Sequence, residues 1–421
     1  MMFKTRVPLA LAVMVVVTFA GCQTALDSTA NPSPQGLDGA IQLLEEHADV
    51  IVLEATPDAS GRRARVVVSP RLQGRIMTMN VGPVESTGYV PTKNIVEGEI
   101  HPHMNNFGGL DRFWIGPEAG PFGIYFPPGA EYSRQTWQVP AAFDKGPFPV
   151  VARLPRKVVM ERKMRVTNYR RVEFQVKVRR EVGVIERTQL EEELGIEVSA
   201  DVAYSGCYSR NTLTNTGDLK WDSKTGLLGI WVLGMFNPTE QCVVIAPLNI
   251  GGEGPLFNDD YFGKVTEQAP SRLKVVDGAV IFRADSSRVT KFGLRQSRTT
   301  GLAGSFDFTN NLLTIVKFTL PTEPESYANC TWRDDHDPLA GDAFQSYNHG
   351  VGDQPGQLAA EPFYELESAS PMRELAPGSN VHHRHATYQF HGSYEQLREL
   401  VQQLLGVDLN NVIASAPARK L

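Results

Sequence analysis

Val172, Phe174, Val176 and Val178 alternate with Glu173, Gln175, Lys177 and Arg179. A period of two, apolar on one side and charged on the other, is that of a strand with one buried and one wet face. Similar short runs recur at 50–55 (VIVLEA), 62–70, 75–81, 227–236, 242–248, 312–320 and 386–392. Turn-rich segments separate them. Two stretches follow a helical period instead. Over 37–48, Leu37, Ile41, Leu44 and Ala48 share one side. Over 394–405, Leu397, Val401 and Leu404 turn inward, with Ser393 as N-cap, Gln396 at the third position and Gly406 as the stop. The pattern predicts an all-β protein, a large twisted antiparallel β-sandwich with two peripheral helices near the termini, packed on its edge or ends.

The first residues follow neither period. Lys4 and Arg6 precede an apolar stretch from Val7 to Ala20, then small residues and Cys22. The stretch is short for an ordinary spanning helix and reads as a signal peptide over 1–21. Phe19-Ala20-Gly21-Cys22 has the pattern of a lipobox, with Phe where Leu is usual, so Cys22 is the expected lipidation site. Gln23 in place of Asp favours the outer membrane in a Gram-negative envelope. Residues 22–36 are small, polar and Pro-containing, a tether. No linker divides 37–421, so that span is expected to be a single domain.

Charge excludes some partners. The chain has 41 basic and 47 acidic residues; without Lys4 and Arg6 the net charge is about −8, spread along the sequence. Neither nucleic-acid binding nor a polybasic membrane patch is supported. Beyond Cys22, Cys207, Cys242 and Cys330 have no CxxC spacing and allow at most one disulfide.

Residues 101–129, HPHMNNFGGLDRFWIGPEAGPFGIYFPPG, break the strand pattern with glycines, prolines, amides and charges. Asn106, Asp111, Arg112, Trp114 and Glu118 supply what a sugar ring needs, paired hydrogen-bonding groups for vicinal hydroxyls and a flat apolar face. The glycines among them allow positive φ or close backbone approach. The plainer reading is a turn cluster that closes two hairpins.

The run NNFGGLDRFWIGPEAGPFGIYF resembles a bacterial family of uncharacterised, often lipid-anchored proteins of the galactose-mutarotase-like superfamily. The resemblance continues through NTLTNTG (211–217), GIWVLGMFNP (229–238), NDDYFGK (258–264), QSYNHG (345–350) and YELESASP (364–371). It implies a supersandwich whose ligands sit in a groove on one concave sheet face. In aldose epimerases of that superfamily a Glu on a late strand, shortly before a Pro turn, takes the anomeric proton. Glu367, four residues before Pro371, resembles it, with Glu365 on the same strand face as competitor. The histidines of those epimerases are absent here, since Phe107 precedes Gly108-Gly109 and 211–215 reads NTLTN.

Substitute acids are His103 with His101, or His383 with His385, each pair two residues apart and co-facial if extended; His349 beside Asn348 is another. Asn348 and His385 join the expected sugar contacts. Lys264 and Lys291 could reach a substrate carboxylate or enolate, although lysines usually face water. No cofactor is expected. The His-x-His pairs would allow a divalent ion with Glu367 or Asp342 as third ligand, a spacing common by chance. Two function classes remain open. One is an envelope-anchored enzyme, an epimerase, lyase or hydrolase with a Glu base; the other is a glycan-binding lipoprotein without chemistry. The sequence leaves the sugar and the oligomeric state undetermined.

Overall fold

Eighteen strands and seven helices, three of them no longer than six residues, account for the regular structure of residues 36–415, described here from a computed structural model with 59–60, 85, 334 and 351–360 excepted. The expected signal peptide, the expected lipidation site Cys22 and the expected tether up to residue 35 lie outside the described residues.

Every strand pairing is antiparallel. One sheet has ten strands, in the order Leu273–Val276, Ala279–Arg283, Cys242–Pro247, Leu302–Asp307, Leu312–Phe318, Asn380–His391, Ala203–Asn215, Glu173–Val184, Lys157–Thr167, Val150–Leu154. A second has five, in the order Thr290–Leu294, Phe344–Asn348, Tyr364–Ala369, Gly229–Phe236, Arg112–Gly116. Ile51–Glu54, Arg65–Ser69 and Arg75–Met79 make a third of three strands.

Alternation sorts the side chains into two cores. Val244, Val280, Phe282 and Val316 of the large sheet pack with Phe292, Phe344, Leu366, Val232 and Phe113 of the five-stranded sheet. Their neighbours Val243, Ile245, Ile281 and Ile315 point to the other face, where Leu397, Val401 and Leu405 cover them. The C-terminal helix Tyr394–Leu405 thus lies on the outer face of the large sheet, not at an edge or end. Ser393 and Gln396 form its capping box, and Gly406 ends it at φ 69°. The N-terminal helix Gly36–His47 buries Leu37 and Leu44 against Val67 and Met77 of the small sheet. No helix among the described residues is long and apolar enough to cross a membrane. Cys207, Cys242 and Cys330 are buried free thiols.

Candidate functional site

The face of the five-stranded sheet turned away from the large sheet carries the charged residues in register. Lys291 pairs with Tyr347, Tyr347 with Glu365, and Glu365 with Met235. The next row runs Gly293, Gln345, Glu367, Leu233, Arg112, and beyond it Ala369, Trp231 and Trp114. Residues two apart share a face, so this register alone brings two acids, two bases and two indoles together.

Over this face lies a cavity of about 470 Å³. Arg112, Glu365 and Lys291 contribute to its floor, and loop residues such as His101, His103, Arg134 and Phe262 to its rim. Trp114, Trp137, Trp231 and Trp332, four of the chain's five tryptophans, line it. Trp137 and Trp332 are half-buried and stack at 6.3 Å between centroids.

Each floor charge is matched. Arg112 Nη2 donates to Glu365 Oε1 at 2.7 Å, and the guanidinium sits 4.0 Å over the Trp114 ring. Lys291 Nζ donates to both oxygens of Glu367 at 3.0 Å, and Trp231 Nε1 donates to Glu367 Oε2 at 2.9 Å. Glu367 is fully buried beneath the cavity, whereas Glu365 lines it. Burial, opposed by Arg112 and reinforced by the Glu367 charge, raises the Glu365 pKa to about 7. Burial also raises that of Glu118, which accepts from Trp137 Nε1 at 2.6 Å. For Lys291 burial works downward, but the charges of Glu367 and Glu118 outweigh it and leave its pKa above the ordinary value. His349 stacks on Phe363 with centroids 4.5 Å apart; burial, aided by Arg134, lowers its pKa to about 4 and keeps the ring neutral.

The structure gathers Asn106, Arg112, Trp114, Glu118, Glu365 and His103 at one cavity. His103 is exposed at the rim, where its Nδ1–H donates to the Trp137 carbonyl at 2.7 Å. Trp114 is no open platform, because it is buried with Arg112 across its face. The more open indoles of Trp137 and Trp332 are better placed to stack on a ring.

Four expected residues lie elsewhere. Asp111 turns away from its neighbour Arg112, pairs with the buried Arg180 and accepts from Ser209 Oγ at 2.7 Å, so it braces the sheets and cannot meet a sugar here. Asn348 clamps a turn, accepting from the Ser286 backbone at 2.9 Å and donating to the Arg288 carbonyl at 2.7 Å. His383 and His385 face the inside of the sandwich, where both ring nitrogens meet Ser368 Oγ, at 2.7 and 2.8 Å. Ser368 and Glu367 are consecutive on a strand and point to opposite faces, so neither histidine shares a space with Glu367. Burial, with the neighbouring His385, lowers the His383 pKa to about 3, and burial lowers that of His385 to about 4. No three metal-ligating side chains converge among the described residues.

The glycines answer to the chain itself. Gly108 has φ +67°, and a Cβ there would stand 2.1 Å from the Tyr89 carbonyl oxygen. That close approach is backbone on backbone. Lys264 pairs with Glu267 at the surface, away from the cavity. Nothing in the sequence singles out Arg134, and Trp137 and Trp332 have only the rarity of tryptophan as a signal.

A family model described as a family of unknown function (DUF6786) matches residues 37–416. No curated protein matches. Among solved structures, the chain is similar to a putative aldose 1-epimerase from Escherichia coli K12, at 12% identity and TM-score 0.48 over 81% of this chain and 99% of that one. It is also similar to a galactose mutarotase-like protein from Lactobacillus casei, at 9% identity and TM-score 0.44 over 82% of this chain and 100% of that one. A galactose mutarotase related enzyme from Lactobacillus acidophilus matches at 11% identity and TM-score 0.43, over 82% and 98%. Likeness of that size leaves the chemistry to be argued from this chain's own residues.

Proposed function

The chain belongs to this family of unknown function, and from that premise we propose that it binds a saccharide in the cavity over the five-stranded sheet and transfers a proton to or from it through Glu365. The single observation behind this reading is a set of indoles and a carboxyl group with a pKa of about 7 lining the same cavity of about 470 Å³. Indole faces take the C–H side of a sugar ring. A carboxyl group that titrates near neutrality can accept a proton and return it. Glu367 is unsuited to that part, because Lys291 and Trp231 occupy its oxygens below the cavity. Glu365 therefore replaces it as the base in this proposal, with His103, Glu118 or Lys291 as the acid or charge-stabilising group. Epimerisation, elimination and hydrolysis all fit such a pair.

A second reading, a glycan-binding protein without chemistry, draws on one specific fact. Both floor carboxylates already hold cationic partners at hydrogen-bond distance. A panel of mono- and oligosaccharides, measured by calorimetry and by anomer and product analysis on wild type and Glu365→Gln, separates the two. Turnover in wild type, lost in Glu365→Gln with binding kept, supports the enzyme; binding without turnover in wild type selects the binding protein. No binding by any saccharide removes both.

We propose further that Cys22 carries a lipid anchor in the cell envelope, at the outer membrane. The support is the sequence alone, a basic start, a short apolar stretch and small residues before the cysteine.

A further inference from the structure

Arg134 has a different standing from the other cations of the cavity. Arg112 is neutralised by Glu365 and Lys291 by Glu367, each at 3.0 Å or less. Arg134 lines the same cavity, half-buried, and among the described residues it has neither an ion pair nor a hydrogen bond. Its charge reaches the floor, since it acts on Tyr347 and His349. His349 is neutral and adds no second charge. Glu118, the remaining acid of the cavity, is hydrogen-bonded to the Trp137 indole and makes no ion pair among the described residues.

We propose that Arg134 receives the carboxylate of an acidic saccharide, so that the cavity selects uronic acids over the corresponding neutral sugars. This rests on the reading of the cavity as a saccharide site. A planar guanidinium meets a carboxylate through two parallel N–H···O bonds, a geometry that gives both strength and orientation. The surroundings favour a monoanion. Arg134 offers one guanidinium fork among aromatic walls, and Glu118 already places a carboxyl group in the cavity, so a dianionic phosphate ester would bring a second negative charge that no free cation among the cavity's described residues receives.

The test is calorimetric titration of wild type, Arg134→Gln and Arg134→Lys with galacturonate and galactose, glucuronate and glucose, their short oligomers, and glucose 6-phosphate. The structure predicts that wild type binds a uronate roughly 10- to 100-fold more tightly than its neutral partner, the range of a charge-assisted hydrogen bond. The preference should shrink with added salt, vanish in Arg134→Gln and persist in part in Arg134→Lys. Arg134 is half-exposed and braces nothing else, so the variants should melt as wild type does. Neutral sugars bound as tightly as uronates, or a preference that survives Arg134→Gln, would overturn the assignment and leave the saccharide site standing. Tighter binding of glucose 6-phosphate than of glucuronate would overturn the monoanion argument. Failure of every saccharide to bind would overturn both readings together.

Discussion

Arg112 and Glu365, 253 residues apart in the chain, meet as a buried ion pair, Nη2 to Oε1 at 2.7 Å. The pair ties the first strand of the five-stranded sheet in chain order to its last, across the intervening strand Gly229–Phe236. Removing Glu365 leaves the Arg112 guanidinium, which cannot shed its charge, buried without compensation. Glu365→Leu should therefore cost on the order of 3 to 5 kcal/mol in stability, and a double variant with Met at 112 and Leu at 365 should recover part of that loss. Denaturant unfolding of the singles and the double checks it. A double variant as unstable as the sum of the singles would show that the two side chains do not interact.

Proton transfer through Glu365 has a pH signature. A base works as carboxylate, so turnover should rise with pH through about 7, the pKa that burial gives the group. A rate profile flat between pH 5 and about 8 would remove Glu365 from the chemistry.

Three buried histidines add an acid sensitivity to stability. His349, His383 and His385 have folded pKa values of about 4, about 3 and about 4, below the ordinary histidine value. Between those values and about 6.5 these histidines bind more protons in the unfolded chain than in the folded one, so their contribution to stability falls as pH drops through that window, while Glu365, its folded pKa raised to about 7, works the other way. From pH 7 down to about 4, acid should therefore cost His383→Gln less in melting temperature than wild type. Equal slopes in the variant and wild type would place the acid sensitivity elsewhere.

Much of the fold was legible because alternation is local. Phe174, Val176 and Val178 announce a buried face, and their strand forms as read. The same strand carries Arg180 to that face, which no pattern announces, because its partner Asp111 lies 69 residues earlier. The helix Arg187–Leu194 has no signature in the sequence, since Leu190 is its sole buried residue and it has no apolar stripe. Glu365 and Glu367 could be placed on one strand face from sequence, but which of them opens to the cavity depends on Lys291 and Trp231, side chains from other strands of the sheet that the sequence does not bring together. The two-residue spacing of His383 and His385 predicts co-facial rings, and both meet Ser368. Their face is the interior one. Arg134, Trp137 and Trp332 sit on irregular segments, where no period says which way a side chain points.

Replacing Cys22 with Ser should move the protein from the membrane fraction to the soluble fraction and leave the signal segment attached. Unchanged partitioning on fractionation would end the lipoprotein proposal.

Four of five tryptophans at one cavity also make ligand binding visible. A bound saccharide should shift intrinsic fluorescence, and Trp137→Ala should weaken binding by about 1 to 3 kcal/mol. An unaltered affinity would deny that indole a place against the ring.

The most direct measurement is a crystal structure with the tightest-binding saccharide of the panel. A sugar ring is expected over the five-stranded sheet, its apolar side on Trp137 or Trp332 and a hydroxyl or C–H within reach of Glu365. A saccharide bound elsewhere, with this cavity holding only water, would contradict it.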